Sequence, residues 1–233
     1  MTGMRPGVAI SPATPESPDL VRRGRWLITR FACPQQVLSW AIVGGGRRTA
    51  EVVAWYRVRE SELRPPADAR EFLRRRLADA AIPDAVALLT SRDLDAHVAV
   101  SRHRDPFAVR CIATVGLGNA LRAGDPPGPA ARIGTINLLC CLSHPVTEEA
   151  LVEALALAAE ARTVAVLEAA VSSRMTGRPA TGTGTDCIVV AAPLVGRPVR
   201  YVGKHTALGS LIGAAVGEAT RHGVERWRAD GAS

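Results

Sequence analysis

Threonine and glycine alternate immediately before an aspartate in the segment ATGTGTDCIVVAAP, residues 180–193. Glycines let a backbone approach a ligand closely, the hydroxyls of Thr183 and Thr185 donate and accept hydrogen bonds, and Asp186 adds a carboxylate. Phosphate loops place their glycines between a strand and a following helix, whereas these glycines precede a predicted strand and no GK[ST] follows. Residues 180–186, called the collar below, therefore predict either a ligand-binding loop of another kind or a threonine-rich turn that Asp186 caps.

A second polar group stands in GKHTALG, residues 203–209, where Lys204, the only lysine of the chain, and His205 precede a predicted helix. Thr206 is a suitable N-cap residue for that helix. Backbone N–H groups at a helix start, an ammonium group and an imidazole together suit the stabilisation of an oxyanion or the binding of an acyl oxygen. A capped helix with two exposed polar side chains explains the same residues, and both interpretations stay open.

Three further polar residues are candidates for the same site. Asn119 in GLGNA closes one predicted strand and Asn137 in GTIN opens the next, so both amides are expected at one edge of the sheet. Asparagine is an ordinary turn residue, but Asn137 stands inside an apolar run, where a buried amide needs hydrogen-bond partners. Glu160 in a long predicted helix is either a paired surface charge or a carboxylate directed into a site.

The histidines and cysteines form no metal-binding or nucleophile motif. His97 and His144 lack HxH or HExxH spacing, so no metal site is predicted. The five cysteines include no CxxC pair, GxSxG is absent, and Cys140 and Cys141 stand in an apolar run. Reduced, mostly buried thiols are therefore expected, with this cysteine pair in the core.

The composition indicates a globular chain and argues against a nucleic-acid binder. The 233 residues are 47% hydrophobic, yet the first twenty lack the continuous apolar segment expected of a signal peptide, and no stretch of about 18 uninterrupted apolar residues occurs. The net charge of +7 is dispersed, and aromatic residues at 4% supply a base-stacking surface poorly. We expect a cytoplasmic protein that binds neither nucleic acid nor membrane.

Short apolar runs between turn residues predict strands, and segments with apolar residues three and four positions apart predict helices. Their order lacks strict βαβ alternation, which favours an α+β fold: a single domain, residues 21–228, with a mixed or largely antiparallel sheet packed by about three helices. A proline-rich tail, residues 1–20, is expected to be disordered. The predicted helices cover residues 67–81, 147–171 with a break near Arg162, and 207–221; the predicted strands are RWLITRF, QQVLSWAIV, AEVVAWYRV, AVALLTS, DAHVAVSR, FAVRCIATV, RIGTINLLCCL, DCIVVAA and VRYVG, with a hairpin at residues 44–48.

Gly209, Gly213 and Gly217 fall on one face of the last predicted helix. Because a helical glycine costs about 1 kcal/mol relative to alanine, the three predict that another backbone packs against this face. Self-association into a homo-oligomer through the same face is a further expectation.

The chain resembles the adenosylcobinamide amidohydrolase family in a set of sequence pieces that occur in a fixed order. The most diagnostic are GTGTD and GKHTALG, and the others are TSRDLDAHVAV, VGLGNA, GTINLLCCL and EARTVAVLEA. The resemblance covers roughly residues 25–218. It implies hydrolysis of the amide that joins the corrin ring's propionyl side chain to aminopropanol, giving adenosylcobyric acid during corrinoid salvage. The partner would be adenosylcobinamide or a related corrinoid, which itself carries cobalt, so no separate cofactor is expected.

The resemblance also implies which residues form the site, carried over position by position. Arg162 stands where relatives are expected to carry lysine, and Trp40 where a small residue is expected, so contacts near both are in question. The implied catalytic residues are Asp186, His205 and Lys204, and the implied substrate-binding residues are Thr183, Thr185, Asn119, Asn137 and Glu160.

The corresponding hypothesis for the reaction is attack on the amide by water. Asp186 or His205 would act as the general base, Lys204 and the start of the last helix would stabilise the oxyanion, and His205 would protonate the departing amine. Covalent attack by Thr183 or Thr185 is an alternative. A corrinoid-binding or trafficking protein that does not cut its ligand is the alternative from another functional class.

Overall fold

Ten strands and three α-helices make up the part of the chain that the structure, a computed structural model, describes: residues 18–63, 68–128 and 134–231. The helices are α1 (Ala69–Asp79), α2 (Glu148–Glu168) and α3 (Ala207–Ala229), and two short 3-10 helices cover Glu60–Leu63 and Leu94–Ala96. The strands are β1 (Asp19–Arg23), β2 (Trp26–Ser39), β3 (Gly46–Arg57), β4 (Val86–Thr90), β5 (Val98–Arg104), β6 (Phe107–Val115), β7 (Ala120–Leu121), β8 (Ile136–Leu142), β9 (Gly182–Thr183) and β10 (Cys187–Pro193).

Eight of the strands form one mixed sheet in the order β4-β3-β2-β10-β8-β6-β5, with β1 beside β2. β10 runs parallel to β8 and β4 parallel to β3, while the other neighbours are antiparallel. The first half of β2 pairs with β1 and the second half with β10, and a bulge between Arg30 and Gln35 separates the halves. The predicted single α+β domain with a mixed sheet and three helices is confirmed.

Both faces of the central strands are buried. Leu138 of β8 and Val190 of β10 point toward α2 and α3, which lie side by side on one face of the sheet. Their neighbours Leu139 and Val189 point to the opposite face, where they pack in one cluster with Trp55 of β3. Burial on both faces explains why β8 and β10 appear in the sequence as continuous apolar runs and not as alternating ones.

Helix α1 covers the outer strands β2, β3 and β4. Its buried residues Leu73 and Leu77 pack with Ile28 and Tyr56 of those strands. The side chain of Asp68 caps the helix by accepting hydrogen bonds from the backbone N–H groups of Arg70 and Glu71. The cap fixes where the helix begins, and that end of α1 borders the cavity described below.

Threonine N-caps begin both long helices, as the sequence predicts. The Thr147 hydroxyl oxygen accepts a hydrogen bond from the Ala150 N–H at 3.3 Å, and that of Thr206 accepts one from the Gly209 N–H at 3.0 Å. Each cap satisfies one of the backbone donors that a helix start leaves without an intrahelical partner.

Both long helices differ from their predicted extents: α2 is uninterrupted but ends three residues before the predicted end at Val171, and α3 is longer than predicted. The predicted break near Arg162 is wrong, because α2 is continuous to Glu168 and keeps Val166 on its buried face. A β-branched residue costs a helix only about 0.7 kcal/mol or less, which burial of an apolar side chain outweighs. α3 continues to Ala229, eight residues beyond the predicted end at Arg221.

The strand predictions fail at a few chain segments where pairing depends on distant partners. Nearly all of the run RWLITRF and the first five residues of QQVLSWAIV belong to one bulged strand, β2, which ends at Ser39. The predicted strand VRYVG contributes only an isolated bridge from Val199 to Val146. The short β7–β9 ladder was not predicted. β1 begins at Asp19, inside the predicted tail, whose residues 1–17 lie outside the described residues. None of the helices in the described chain combines the length and apolar character needed to cross a membrane.

The three glycines of α3 have different surroundings. A Cβ atom added at Gly209 would lie 2.1 Å from the Val202 carbonyl oxygen and 2.2 Å from that of Gly203, so another backbone does pack against this position. A Cβ at Gly213 or Gly217 would meet no atom within 4 Å. Close backbone packing therefore requires glycine at only one of the three positions.

Alanine substitutions should separate these glycines. Gly209→Ala is expected to lower the free energy of unfolding by about 1–3 kcal/mol, because the methyl group overlaps two carbonyl oxygens. Gly213→Ala is expected to raise it by about 0.5–1 kcal/mol, because alanine restricts the unfolded chain and meets no obstacle in the helix. Chemical denaturation measures both, and equal effects would contradict this account of the packing.

Candidate active site

A cavity of about 510 Å³ lies where the collar, the start of β8 and the end of β4 meet, and it is called the main cavity below. One wall is apolar and comes from the first part of the chain, while the other is polar and comes from the collar and its neighbours. The apolar wall includes Trp40, Ile42, Val58, Leu63, Leu88 and Leu89, and the polar wall includes Asn119, Thr135, Asn137, Thr185 and Asp186.

The Asp186 carboxylate joins three segments of the chain. One oxygen, Oδ1, accepts hydrogen bonds from the Thr183 hydroxyl at 2.5 Å and the Ile136 N–H at 3.0 Å. The other, Oδ2, accepts the Thr183 N–H at 2.9 Å and pairs with the Arg162 guanidinium of α2. A carboxylate has about four acceptor directions, and these four donors occupy them. Asp186 therefore has no acceptor position left for a water molecule, which the expected role of general base requires.

The two threonines of the collar differ in what their hydroxyl groups contact. The Thr183 hydroxyl donates to the Asp186 carboxylate, whereas that of Thr185 donates to the Gly134 carbonyl at 3.1 Å. The Thr135 hydroxyl in turn donates to the Thr185 carbonyl at 2.8 Å. Of the two, only Thr183 has its proton directed at a carboxylate, which is the contact that an activated nucleophile needs.

The two asparagines also differ. Asn137, with 2% of its surface exposed, donates from Nδ2 to the Leu89 carbonyl at 2.7 Å and so ties β8 to β4. Asn119 is 7% exposed, and its backbone carbonyl accepts the Gly184 N–H at 3.3 Å. Its side-chain amide hydrogen-bonds to no other residue that the structure describes, and it lines the main cavity. Asn119 is therefore the buried amide that is open to a ligand, although its turn-like sequence context gave the weaker signal.

Lys204, His205 and Glu160 lie at another place. A groove of about 370 Å³ runs between α2 and α3, and Lys204 and Glu160 line it. Lys204 Nζ lies 2.5 Å from Glu160 Oε1, with 70% and 51% of the two side chains exposed. His205 is exposed beside them. The described residues that line the main cavity include none of the three, although Glu160 stands two residues before Arg162, the ion-pair partner of Asp186, on α2.

Trp40 and Cys187 complete the main cavity beside Asp186. The Trp40 indole, about half exposed, donates from Nε1 to the Asp186 carbonyl at 2.5 Å. Burial raises the pKa of the Cys187 thiol to about 12, with the Asp186 charge adding to the effect. Cys187 is therefore a neutral thiol at physiological pH and a poor nucleophile.

Sequence reasoning did not select Thr135, Arg162 or Trp40 as site residues. Thr135 stands in the same GTIN piece as Asn137, so its neighbourhood was a usable signal. Arg162 and Trp40 appeared only as departures from the expected family pattern, and their contacts with Asp186 join residues far apart in the chain. Among the described residues, no group of three or more His, Cys, Asp or Glu side chains is arranged to hold a metal ion.

Comparison with known proteins gives the chain its family. The family model of adenosylcobinamide amidohydrolase matches residues 12–232. The chain belongs to the adenosylcobinamide amidohydrolase family. The resemblance expected from the collar and GKHTALG pieces is thereby confirmed.

Relatives within and beyond this family are distant. An adenosylcobinamide amidohydrolase of Halobacterium salinarum is 34% identical over 170 residues, 69% of this chain and 68% of that protein. An uncharacterized protein of Methanocaldococcus jannaschii is 32% identical over 155 residues, 57% of this chain and only 60% of that protein's length. A beta-aminopeptidase of Burkholderia sp. matches at a TM-score of 0.46 and 12% identity, covering 86% and 78% of the two chains, a likeness too low to bear on activity.

The raised thiol pKa values predict selective cysteine labelling. Iodoacetamide at pH 8 is expected to label Cys33 alone in the folded protein, because Cys33 is exposed and the other four thiols are buried. Burial also raises the pKa of Cys141 to about 12, so its thiolate forms only at much higher pH. Mass spectrometry counts the labels, with the unfolded protein as the control that accepts all five. Labelling of Cys187 in the folded state would contradict the assigned burial.

The two asparagines are expected to differ in their effect on stability. Asn137→Ala should lower the free energy of unfolding by about 1–3 kcal/mol, because the partly buried Leu89 carbonyl loses its donor. Asn119→Ala should change it by less than about 0.5 kcal/mol, because no protein partner of the amide is lost. Urea titration of both variants tests the difference, and a reversed order would show that Asn119 is the structural residue.

Proposed function

We propose that the protein hydrolyses the amide between the corrin ring's propionyl side chain and aminopropanol in adenosylcobinamide, giving adenosylcobyric acid for corrinoid salvage. Family membership supports the substrate class. The observation that carries the proposal is the buried Asn119 amide, which lines a cavity of about 510 Å³ and has no hydrogen-bond partner among the described residues. The polar side-chain atoms of Asn119 are not among the enclosed atoms without a partner, so they are reached from the cavity, where a ligand can take the place of solvent.

An asparagine side chain suits the recognition of a substrate amide. Its Nδ2 group donates and its Oδ1 atom accepts, which complements the carbonyl and N–H of the scissile bond. When the carbonyl carbon becomes tetrahedral, its oxygen gains negative charge, and an Nδ2–H donor held in a buried site stabilises that charge. The apolar wall from Ile42 to Leu89 would hold the hydrocarbon part of the corrinoid.

Two kinds of nucleophile are compatible with the site, namely water and a threonine hydroxyl of the collar. The Thr183 proton is directed at the Asp186 carboxylate, but Thr183 is not among the residues that line the main cavity. Thr185 lines the cavity and donates to the Gly134 carbonyl. We assign no step to Lys204, which is paired with Glu160 in the groove between α2 and α3, or to His205, which is exposed and does not line the main cavity.

A corrinoid-binding protein without catalysis is the second candidate, and one observation favours it. The ionisable side chains that line the main cavity among the described residues are Asp186, whose oxygens are occupied, and Cys187, whose thiol is neutral. A cavity without a free base binds a ligand more readily than it activates water. Product formation separates the two functions, because both predict binding.

The test is incubation with adenosylcobinamide followed by mass spectrometry for adenosylcobyric acid and aminopropanol. The wild type should form both, and Asn119→Ala should lower kcat/KM by about 100-fold, as expected for loss of one donor to an oxyanion. Glu225→Ala on the outer surface of α3 is the matched control and should keep full activity. If the corrinoid binds but stays intact, the protein is a carrier and not an enzyme. If the corrinoid is neither bound nor cut, both proposed functions are wrong.

A further inference from the structure

We propose that Arg162 is a positioning residue that fixes the collar in the conformation it presents to the ligand. The inference rests on the proposed function, because the reaction in which Arg162 would act is the hydrolysis of adenosylcobinamide. Arg162 is not among the residues that line the main cavity, whereas Asp186, Thr185 and Gly184 are. Any effect of Arg162 on a bound substrate must therefore pass through the collar.

A single nitrogen of Arg162 makes both of its contacts with the collar. Nη1 donates to the Thr181 carbonyl at 3.1 Å and to the Asp186 carboxylate. The side chains of the ion pair are 13% and 8% exposed, so solvent competes weakly for either charge. Because breaking a buried ion pair leaves an uncompensated charge, the pair restrains the two ends of the collar together.

Gly182 supplies the space for this contact. A Cβ atom at Gly182 would lie 1.8 Å from Arg162 Nη1 and 2.3 Å from Asp186 Oδ2. The other glycine of the collar serves a different neighbour, because a Cβ at Gly184 would lie 2.9 Å from Asn119 Nδ2. The absence of a side chain at Gly182 thus leaves room for the Arg162 guanidinium, and its absence at Gly184 leaves room for the Asn119 amide.

The same contacts predict how lysine would behave at position 162. Arg162 uses Nη1 for both hydrogen bonds, and its buried Nε has no hydrogen-bond partner among the described residues. A lysine ammonium can donate to both acceptors from its single nitrogen, with one N–H left over, and it has no Nε–H to bury. Charge and reach at this position are therefore required, and the guanidinium fork is not.

The first experiment measures kcat and KM for adenosylcobinamide in Arg162→Lys and Arg162→Met. Arg162→Met should lower kcat by about 30-fold or more while KM changes less than about threefold, because a misplaced collar impairs the geometry of reaction. Arg162→Lys should stay within about threefold of the wild-type kcat. Full activity of the methionine variant, or equal losses in both variants, would overturn the proposal.

The second experiment is a double-mutant cycle between Arg162 and Gly182. Gly182→Ala should lower kcat by about 10-fold or more in the wild type, where the methyl group displaces the guanidinium, and by a smaller factor in the Arg162→Met protein, where only the overlap with Asp186 Oδ2 remains. Gly213→Ala, whose Cβ meets no atom within 4 Å, is the matched glycine-to-alanine control and should keep full activity. Additive losses at the two positions would show that Gly182 and Arg162 act independently.

Melting temperatures of the same proteins separate this inference from the proposed function. If the wild type does not cut adenosylcobinamide, the proposed function fails, yet the cycle can still be read in thermal stability without substrate. Non-additive changes in melting temperature would show that Arg162 and Gly182 contact each other, even though the contact would then serve no catalytic step. Additive melting temperatures together with additive kcat losses would overturn the contact itself.

Discussion

The carboxylate of Asp186 is the constraint on which the site depends. An ionised carboxyl group taken out of water needs hydrogen bonds and a counter-charge, and Asp186 finds them in the collar, at the start of β8 and on α2. Meeting this requirement joins three segments that the chain keeps far apart. The polar wall of the main cavity is therefore a consequence of satisfying one buried charge.

The other polar side chains of the site differ in whether they have hydrogen-bond partners within the described protein. Asn137 and Thr135 donate to backbone carbonyls of neighbouring segments, so they hold the walls of the cavity in register. Asn119 is held by its backbone to the collar but leaves its side-chain amide without a described partner. A folded chain tolerates such a group where solvent or a ligand can reach it, which is why we propose the amide as the place of substrate recognition.

The residues expected to act together from the family resemblance divide between two places. Asp186, Thr185 and both asparagines line the main cavity, while Lys204 and Glu160 form an exposed ion pair in the groove between α2 and α3. Exposed pairs of this kind contribute little to stability, and their charges are partly screened by solvent. Two motifs that look like one site in the sequence thus lie in different electrostatic surroundings.

The sequence by itself determined the α+β class, the threonine caps of α2 and α3, the buried central strands and the residue types of the collar. These follow from local rules: apolar periodicity, capping by hydroxyl oxygens and the order of strands and helices. Only the tertiary structure decided that β2 is one bulged strand, that Arg162 pairs with Asp186, and that Asn119 and not Asn137 faces the cavity with a free amide. These outcomes depend on which distant groups compete for each buried donor and acceptor, and sequence spacing does not encode that competition.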